Sequence, residues 1–375
     1  MKTLHNALGL VGLVAAALPA LSEPQQEGFA AEHAVFVMTN DADTNEVIAF
    51  DRAPNGTLFG PRKYETGGRG SGGTVDPLGS QGSLTLSDDR ALLFATNAGS
   101  GTVSIFRVFG AHLALTDRVP SGGSEPNAVA QHGKLLYVLN TAGSSSVVGF
   151  ELHAGRLTRI PDSLRFLSAN FVNSASLAFS KDGRFLAVTE RATNNIDVFR
   201  VQADGRLAPI VVNPAVGLGT FSGVFAPNGA LLVSETGGPG PISSTISSYS
   251  IGADGKILPI SPTVPTLGSA NCWNVVTPDG RFVYASNAGT ASISGFEIGH
   301  NGSLTALPGT VVAVNPPGSA NLDIAISSDG AYLYSLNAAT GAIGVFQIQQ
   351  DGRLTNFGTL GGLPAGAGLN GIAAN

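Results

Sequence analysis

The chain has 375 residues, a formal net charge of −6, 12% charged residues and 50 glycines. This mild acidity, spread without blocks of charge, argues against nucleic acid as a partner. The single cysteine, Cys272, excludes an internal disulfide framework. Long helical periodicity is absent, so the sequence predicts an all-β protein with many tight turns.

The first predicted element, residues 1–22, resembles a secretory signal peptide. Lys2 provides a positive start, Leu8–Leu18 is apolar, and Ala20-Leu21-Ser22 supplies small residues for cleavage. The apolar run is too short to cross a bilayer. We therefore expect a secreted protein, extracellular or periplasmic, without a membrane anchor, whose residues 23–375 form one domain.

A unit of four short strands recurs along the rest of the chain. It is clearest in residues 271–308, where alternating apolar runs are separated by the turns Pro278-Asp279-Gly280 and His300-Asn301-Gly302. An aromatic residue ends the third strand of each unit, at intervals of 44 to 56 residues. Four-stranded units at this period predict a seven-bladed β-propeller. The seven aromatics are Phe50, Phe106, Phe150, Phe199, Tyr249, Phe296 and Phe346.

The first unit lacks its innermost strand. The apolar run that begins at Ala34 corresponds to the second strand of the other units, and no recognisable first strand precedes it. The C-terminal run 370–374 resembles the run 321–325 that opens the seventh unit. We therefore predict that the C-terminal strand pairs into blade one and closes the ring. The connector Gly67–Gly79 formally matches G-x-G-x-x-G, but no helix pattern follows, so we interpret it as a flexible loop.

The connections of a four-stranded meander alternate between two faces. The Asp-Gly and Asn-Gly hairpins fall on one face, and the loops between second and third strands share the other with the blade connectors. Blade five has an enlarged loop on this second face, Thr236–Ser244. We expect the functional site on this second face, hereafter the loop face, over the central channel.

The second strand of each unit ends in asparagine, except in blades four and five. Asparagine at a strand end commonly caps the following loop with its side chain. Glu190 and Glu235 depart from this pattern, and we predict that they share one rim of the channel mouth. Glu190 is a candidate catalytic base, and Glu235 and the adjacent Arg191 are candidate substrate-binding residues. The asparagines are Asn40, Asn97, Asn140, Asn287 and Asn337.

The innermost strands are expected to line the channel. Asp323 is an acid in an otherwise apolar strand and a second catalytic candidate, although it could equally link inner strands by hydrogen bonds. Trp273 could stack on a ligand ring or plug the channel. Alignment of the blades places three further candidate substrate-binding residues near the same level, namely Ser176, Ser222 and Asn127.

The repeated pattern S-x-D-G-R-x-L-Y-x-x-N-x-G resembles the lactonase-type seven-bladed propellers. That family includes bacterial 6-phosphogluconolactonase and the fungal carboxymuconate lactonizing enzyme, so the resemblance implies a propeller fold and lactone chemistry. The chain keeps the family's glutamate at Glu190. It departs from the family at three places. The family usually has Arg-His-Leu where this chain has Ala175-Ser176-Leu177. It usually has Pro-His where this chain has Pro126-Asn127, and Arg where this chain has Ala288.

Two functions are compatible with these features. The first is a lactonase-like enzyme, hydrolysing or forming a lactone on a small neutral or weakly anionic molecule. A phosphosugar is disfavoured because Arg191 is the only cation beside the candidate carboxylates. The alternative is a non-catalytic propeller that binds a protein or glycan partner through its loop face. We expect a monomer without cofactor or metal, and leave open a calcium site built from Glu190, Glu235, Asp323 and nearby asparagines.

Overall fold

The computed structural model describes residues 33–375, so the predicted signal peptide at residues 1–22 lies outside the described residues. Seven antiparallel sheets follow one another along the described chain. The predicted seven-bladed β-propeller is therefore confirmed. Two short 3₁₀ turns, Ala98–Ser100 and Ala288–Thr290, interrupt the strand pattern. No helix within residues 33–375 has the length and apolar character needed to cross a membrane.

Blade one is assembled from strands at both ends of the described chain. Strand β29 (Ile372–Ala374) pairs antiparallel with β1 (Ala34–Met38). Strands β2 (Glu46–Arg52) and β3 (Leu58–Glu65) complete the sheet. The predicted ring closure is confirmed, and the edge of β1 that would otherwise be open is covered.

Blades two and three contain the strands that follow. Blade two comprises β4 (Leu84–Leu86), β5 (Leu92–Asn97), β6 (Thr102–Phe109) and β7 (His112–Pro120). Blade three comprises β8 (Pro126–His132), β9 (Leu135–Asn140), β10 (Ser146–His153), β11 (Arg156–Arg159) and β12 (Arg165–Phe166). The sequence does not predict β12. The outer strand divides because Pro161 has no N–H for the ladder and Asp162 turns the chain at φ +56°.

Blades four to seven have the four strands expected of each. Blade four comprises β13 (Ser174–Phe179), β14 (Phe185–Glu190), β15 (Asn195–Arg200) and β16 (Val211–Pro214). Blade five comprises β17 (Thr220–Phe225), β18 (Leu231–Glu235), β19 (Thr245–Ile251) and β20 (Ile257–Pro265). Blade six comprises β21 (Asn271–Val276), β22 (Phe282–Asn287), β23 (Ser292–Ile298) and β24 (Leu304–Val314). Blade seven comprises β25 (Asn321–Ile326), β26 (Tyr332–Asn337), β27 (Ala342–Ile348) and β28 (Leu354–Leu360).

The hairpin between the first two strands of a blade has a local sequence cause. In blade six, Thr277 Oγ1 donates to Asp279 Oδ1 at 2.6 Å, and the same oxygen accepts the Arg281 N–H at 3.1 Å. Gly280 then adopts a left-handed φ of +73°, which a residue without Cβ takes at little cost. The recurring Ser/Thr-x-Asp-Gly sequence thus fixes the turn, and with it the register of both strands.

The blades are held together by apolar packing. The aromatic residues that end the third strands are buried in every blade, none more than 3% exposed. A second set of apolar residues comes from the inner strands of blades four to seven and forms part of one cluster, so these strands meet around the axis. Its inner-strand members include Ala175, Phe221, Cys272 and Leu322. The channel on this side is therefore lined mainly by apolar side chains.

Candidate active site at the channel mouth

The innermost strands of blades three to seven share an irregularity. Each contains a register shift against its second strand, at residues 126–128, 174–176, 220–223, 271–273 and 321–324. Such a bulge leaves residues unpaired and re-aims their side chains. The inner-strand residues that the sequence aligned lie in or at the edge of these shifts. They are Asn127, Ser176, Ser222, Trp273 and Asp323.

The connector after blade one enters the channel between these strands. Gln81 N donates to Ala175 O of blade four at 2.9 Å. From blade six, Trp273 Nε1 donates to Ser80 O at 2.9 Å, and Ser80 Oγ donates to Asn127 O of blade three at 2.7 Å. Ser80 and Gln81 are thus bonded to three different blades and fill part of the channel. Trp273 is 1% exposed, in agreement with the channel-plug alternative.

The glycine-rich part of this connector, predicted to be a flexible loop, is held in place by backbone hydrogen bonds. Gly70 N donates to Asp41 O at 2.6 Å, and Gly99 N donates to Arg69 O at 3.1 Å. A Cβ at Gly70 would lie 2.2 Å from the Asn40 carbonyl. Glycine is needed here because two backbone segments approach closely.

Asp76 stands in the same connector, half-buried, with a left-handed φ of +47°. Asn370 Nδ2 donates to its Oδ1 at 3.2 Å. Burial raises the pKa of Asp76 to about 7, while the Arg191 guanidinium and the Asn370 amide partly oppose that rise. A carboxyl group that titrates near neutral pH is well suited to general acid–base chemistry.

Arg191 supplies the positive charge beside Asp76. Its guanidinium carbon lies 5.6 Å from the centroid of the Phe221 ring, a cation–π contact. Phe221 in turn packs edge-on against Trp273, with 5.0 Å between ring centroids. Within residues 33–375, no carboxylate lies within ion-pairing distance of Arg191. The guanidinium is therefore positioned by an aromatic ring and not neutralised by a direct ion pair in this part of the chain.

Asp323 lies deeper, 3% exposed. Its Oδ1 accepts the Ile324 N–H at 2.9 Å, and its Oδ2 accepts the Ile372 N–H at 3.4 Å. The second bond links blade seven to the closing strand β29, as in the alternative that makes Asp323 an inter-strand link. Burial raises the pKa of Asp323 to about 7; the two backbone donors lower it, and the negative charge of Asp76 raises it further. Asp76 and Asp323 thus form an electrostatically connected pair.

Cys272 completes this group on the inner strand of blade six. Burial, and then the negative charge of Asp76, raise the pKa of its thiol well above the usual range, although Arg191 opposes them. The thiol is therefore protonated near neutral pH and is a poor nucleophile. Cys272 belongs to the apolar cluster around the axis and lies within electrostatic reach of Asp76.

Glu190 is fully buried inside blade four and does not line an open rim. Its Oε1 accepts the Ser168 N–H at 3.0 Å, and its Oε2 accepts hydroxyl groups from Ser168 and Thr193, both at 2.5 Å. Burial alone would raise the pKa of Glu190. Hydrogen bonds from Asp197, Ser168 and Thr193 outweigh burial and lower the pKa below its usual value.

Asp197, on the third strand of blade four, is the partner that sequence reasoning missed. Burial, followed by its contact with Glu190, raises the pKa of Asp197 to about 9. In blades two and six a serine occupies this place. Its Oγ accepts a hydrogen bond from Asn97 Nδ2 at 2.8 Å in blade two and from Asn287 Nδ2 at 2.9 Å in blade six. Blade four therefore replaces an amide–hydroxyl pair by two carboxyl groups that share a proton.

Glu235 occupies the corresponding place in blade five and is also fully buried. Thr245 Oγ1 donates to its Oε2, and Tyr249 OH donates to its Oε1 at 3.4 Å. A Cβ at Gly217 would lie 2.0 Å from the Glu235 carboxyl carbon, as one at Gly268 would lie 2.3 Å from the Asn287 amide carbon. The expectation that Glu190 and Glu235 share the channel rim is wrong, because each side chain packs inside its own blade.

The remaining predicted binding residues lie between blades. Ser176 Oγ accepts the Gly223 N–H at 2.8 Å, and Asn127 Nδ2 donates to Ser174 O at 2.8 Å. Ser222 Oγ has no hydrogen-bond partner among the described residues. All three are buried, and the hydrogen bonds of Ser176 and Asn127 connect neighbouring inner strands. Their predicted role in substrate binding stays a prediction.

The predicted carboxylates do not form a single metal-binding group. Across residues 33–375, no cluster of three or more His, Cys, Asp or Glu side chains is arranged to hold a metal ion. Glu190 and Glu235 belong to separate blades, while Asp323 lies on the inner strand of blade seven. Of the predicted site residues, Arg191 and Asp323 are each linked electrostatically to Asp76: the Arg191 guanidinium lowers the pKa of Asp76, and the negative charge of Asp76 raises the pKa of Asp323.

Comparisons with known proteins agree with this architecture. The family described as lactonase, 7-bladed beta-propeller matches residues 130–236. No curated protein matches the chain in sequence. A candidate 6-phosphogluconolactonase from Bacteroides uniformis superimposes with a TM-score of 0.69 at 20% identity, covering 92% of this chain and 100% of that one. The periplasmic gluconolactonase PpgL of Pseudomonas aeruginosa gives 0.67 at 17% identity, covering 90% and 98%. At these identities the structural likeness establishes the fold.

Proposed function

We propose that this chain, a seven-bladed propeller whose residues 130–236 match the lactonase family, hydrolyses a small lactone at the mouth of its central channel. The observation that carries this proposal is a half-buried carboxyl group, Asp76, with a pKa of about 7 beside the guanidinium of Arg191. Lactone opening needs a base for water and a positive group for the developing oxyanion. The family match supports the reaction class, as do fold relatives named as gluconolactonases.

In the proposed reaction Asp76 acts first as a base and then as an acid, and Arg191 stabilises negative charge on the substrate and the product. Deprotonated Asp76 accepts a proton from water as the water oxygen attacks the lactone carbonyl carbon. Arg191 stabilises the negative charge that develops on the carbonyl oxygen. When the ring C–O bond breaks, the leaving alkoxide takes the proton from Asp76. The product is a hydroxy acid, which releases its carboxylic proton to solvent, and the resulting carboxylate pairs with Arg191 before it leaves.

This assignment differs from the catalytic pair that the sequence suggests, Glu190 and Asp323. Both Glu190 oxygens are engaged by internal donors, which leaves that carboxylate poorly placed to accept a proton from water. Asp323 is bonded to two backbone N–H groups and acts in the proposal as a positioning residue for the channel floor. A catalytic role for either remains a prediction that the same assays test.

The proposal is tested by proton-release assays with a panel of five- and six-membered lactones. Asp76→Asn should reduce kcat/KM by about 10²- to 10⁴-fold, the usual contribution of a general base. Arg191→Gln should reduce it by roughly 10²-fold through loss of oxyanion stabilisation. Arg69→Gln is a matched control, because Arg69 is an exposed cation of the same connector.

The outcomes separate the two candidate functions. Turnover that depends on Asp76 and Arg191 but not on Arg69 supports the proposal. If turnover does not depend on Asp76 and is lost in Glu190→Gln or Asp323→Asn, the catalytic residues are the pair predicted from the sequence. Absence of turnover and of lactone binding across the panel favours the non-catalytic propeller that binds a partner through its loop face.

We also propose, from residues 1–22, that the chain acts outside the cytoplasm. The supporting features are the Lys2 start, the apolar run and the small residues that follow. N-terminal sequencing of protein purified from its native source should find a mature chain that starts near Glu23. Recovery of the chain with Met1 intact would contradict the proposal.

A further inference from the structure

The loops of blades four to six form a continuous arc that starts at Arg191. Ala192 N donates to Val172 O at 3.0 Å, which joins the Arg191 loop to the connector before blade four. Gly219 N donates to Asn194 Oδ1 at 2.5 Å, which joins the same loop to the connector before blade five. The arc therefore begins beside the candidate active site.

The arc continues through the enlarged loop of blade five. Gly237 N donates to Leu218 O at 3.0 Å, and Ile242 N donates to Ser269 Oγ at 2.9 Å. These bonds tie the loop 236–244 to the connectors on both sides. Each loop of the arc is thus positioned by its neighbours.

Large apolar side chains project from this arc. Phe171 is 72% exposed, Leu218 54%, Ile242 53% and Leu267 49%. We call these four residues the apolar rim. Phe171, Ile242 and Leu267 have left-handed φ values of +54°, +58° and +56°. A bulky residue in that region is costly, so exposure and backbone strain coincide at three of the four positions.

The arc is also nearly free of charge. The loops of the arc contain one ionisable side chain, Arg191. They comprise residues 167–173, 191–194, 215–220, 236–244 and 266–271. A phosphorylated or highly hydroxylated ligand would find few polar partners among these side chains. A ligand with one polar end and an apolar remainder matches a single guanidinium flanked by exposed hydrocarbon.

We propose that the apolar rim binds the hydrocarbon chain of an alkyl-substituted lactone whose ring lies between Asp76 and Arg191. This inference rests on the proposed function and specifies its substrate class. The chain would extend from the channel mouth along the loops of blades four and five, towards Leu218 and Ile242. Each methylene that it covers contributes about 0.8 kcal/mol, or roughly fourfold in affinity.

The test is a series of γ-alkyl lactones that differ only in chain length. For wild type, kcat/KM should rise up to about fourfold per added methylene until the chain passes beyond the rim. The double substitution Leu218→Ser with Ile242→Ser should flatten this dependence, with little effect on the shortest lactone. Leu258→Ser is the matched control, since Leu258 is 66% exposed on the outer strand β20, away from the loops.

A second measurement keeps the inference separable from the reaction itself. Binding of the corresponding γ-alkyl lactams, measured by calorimetry, should tighten with chain length in wild type and not in the double variant. That result upholds the rim even when no lactone is hydrolysed. Hydrolysis of short lactones with no chain-length dependence overturns the rim and leaves the proposed function intact. If wild type sediments with phosphatidylcholine vesicles, the double variant does not, and neither hydrolysis nor lactam binding depends on chain length, the apolar rim is a membrane-binding surface and the inference is overturned.

Discussion

Asn370 Nδ2 donates a hydrogen bond to Asp76 Oδ1 across 3.2 Å, joining the segment that precedes the closing strand to the candidate base. Asn370 also accepts the Ser83 hydroxyl at 3.0 Å. The C-terminal residues therefore have two roles, since β29 completes blade one and Asn370 positions Asp76. Ring closure and the proposed chemistry are coupled through this one side chain.

Replacement of Asn370 should change the titration of Asp76. The amide lowers the pKa of Asp76, so Asn370→Ala should move the acid limb of the kcat/KM profile to higher pH. A hydrogen bond of about 1 kcal/mol corresponds to a shift of roughly 0.7 pH units. Ser83→Ala is the control, because it removes the other Asn370 contact and leaves the Asp76 contact in place. An acid limb that does not move in Asn370→Ala would disprove this coupling.

The buried pair in blade four should make stability depend on pH. The pKa of Asp197 in the folded state is about 9, far above the usual value of an aspartate, so the folded protein retains a proton that the unfolded chain releases. Asp197 therefore contributes less stability as pH rises from about 4 towards 9. The lowered pKa of Glu190 adds stability only as pH rises to the pKa of an unfolded glutamate, so it does not oppose this loss above about pH 5.

Asp197→Asn should remove most of that dependence, because an amide can donate to Glu190 without binding a proton. When pH rises from 5 to 8, the unfolding free energy of the variant should fall by about 1 to 3 kcal/mol less than that of wild type. Asp254→Asn, in an exposed hairpin turn, is the control. Denaturant titrations at both pH values measure the difference, and parallel curves for Asp197→Asn and wild type would contradict the shared-proton pair.

Removal of the closing strand should destabilise the whole ring. Deletion of residues 372–375 exposes an edge of β1 and removes Ile372, which is 4% exposed. The loss of one buried isoleucine alone costs about 2 to 5 kcal/mol, which in a domain of this size corresponds to a fall in Tm of roughly 3 to 7 °C. Deletion of Asn375 alone, which leaves β29 intact, is the control. An unchanged Tm after the longer deletion would show that β29 contributes little to closure.

The fold could be predicted from the sequence because each blade is specified locally. Asp-Gly and Asn-Gly turns mark the hairpins, and the buried aromatic of each third strand sets the period. The incomplete first blade also revealed the C-terminal closure, since a propeller cannot leave a strand unpaired at its centre. The division of the outer strand of blade three was not predicted, because the run on both sides of Pro161 resembles a single strand.

The site was less predictable, because its key contacts join residues far apart in the chain. Asp76 lies in a glycine-rich connector without periodicity, and nothing local shows that this connector enters the channel. Glu190 and Glu235 stand out in the aligned repeats, but their partners Asp197 and Tyr249 become visible only in three dimensions. Arg191 was predicted beside Glu190 from its position in the sequence, whereas in the structure its charge acts on Asp76.

The most direct test of the account is the pH dependence of lactone hydrolysis. With the uncatalysed rate subtracted, kcat/KM of wild type should rise tenfold per pH unit below a pKa of about 7 and level off above it, since Asp76 must be deprotonated to accept a proton. Asp76→Asn should lose this limb together with about 10²- to 10⁴-fold of activity. A full rate in Asp76→Asn, with the same limb near pH 7, would contradict the assignment of Asp76 as the base.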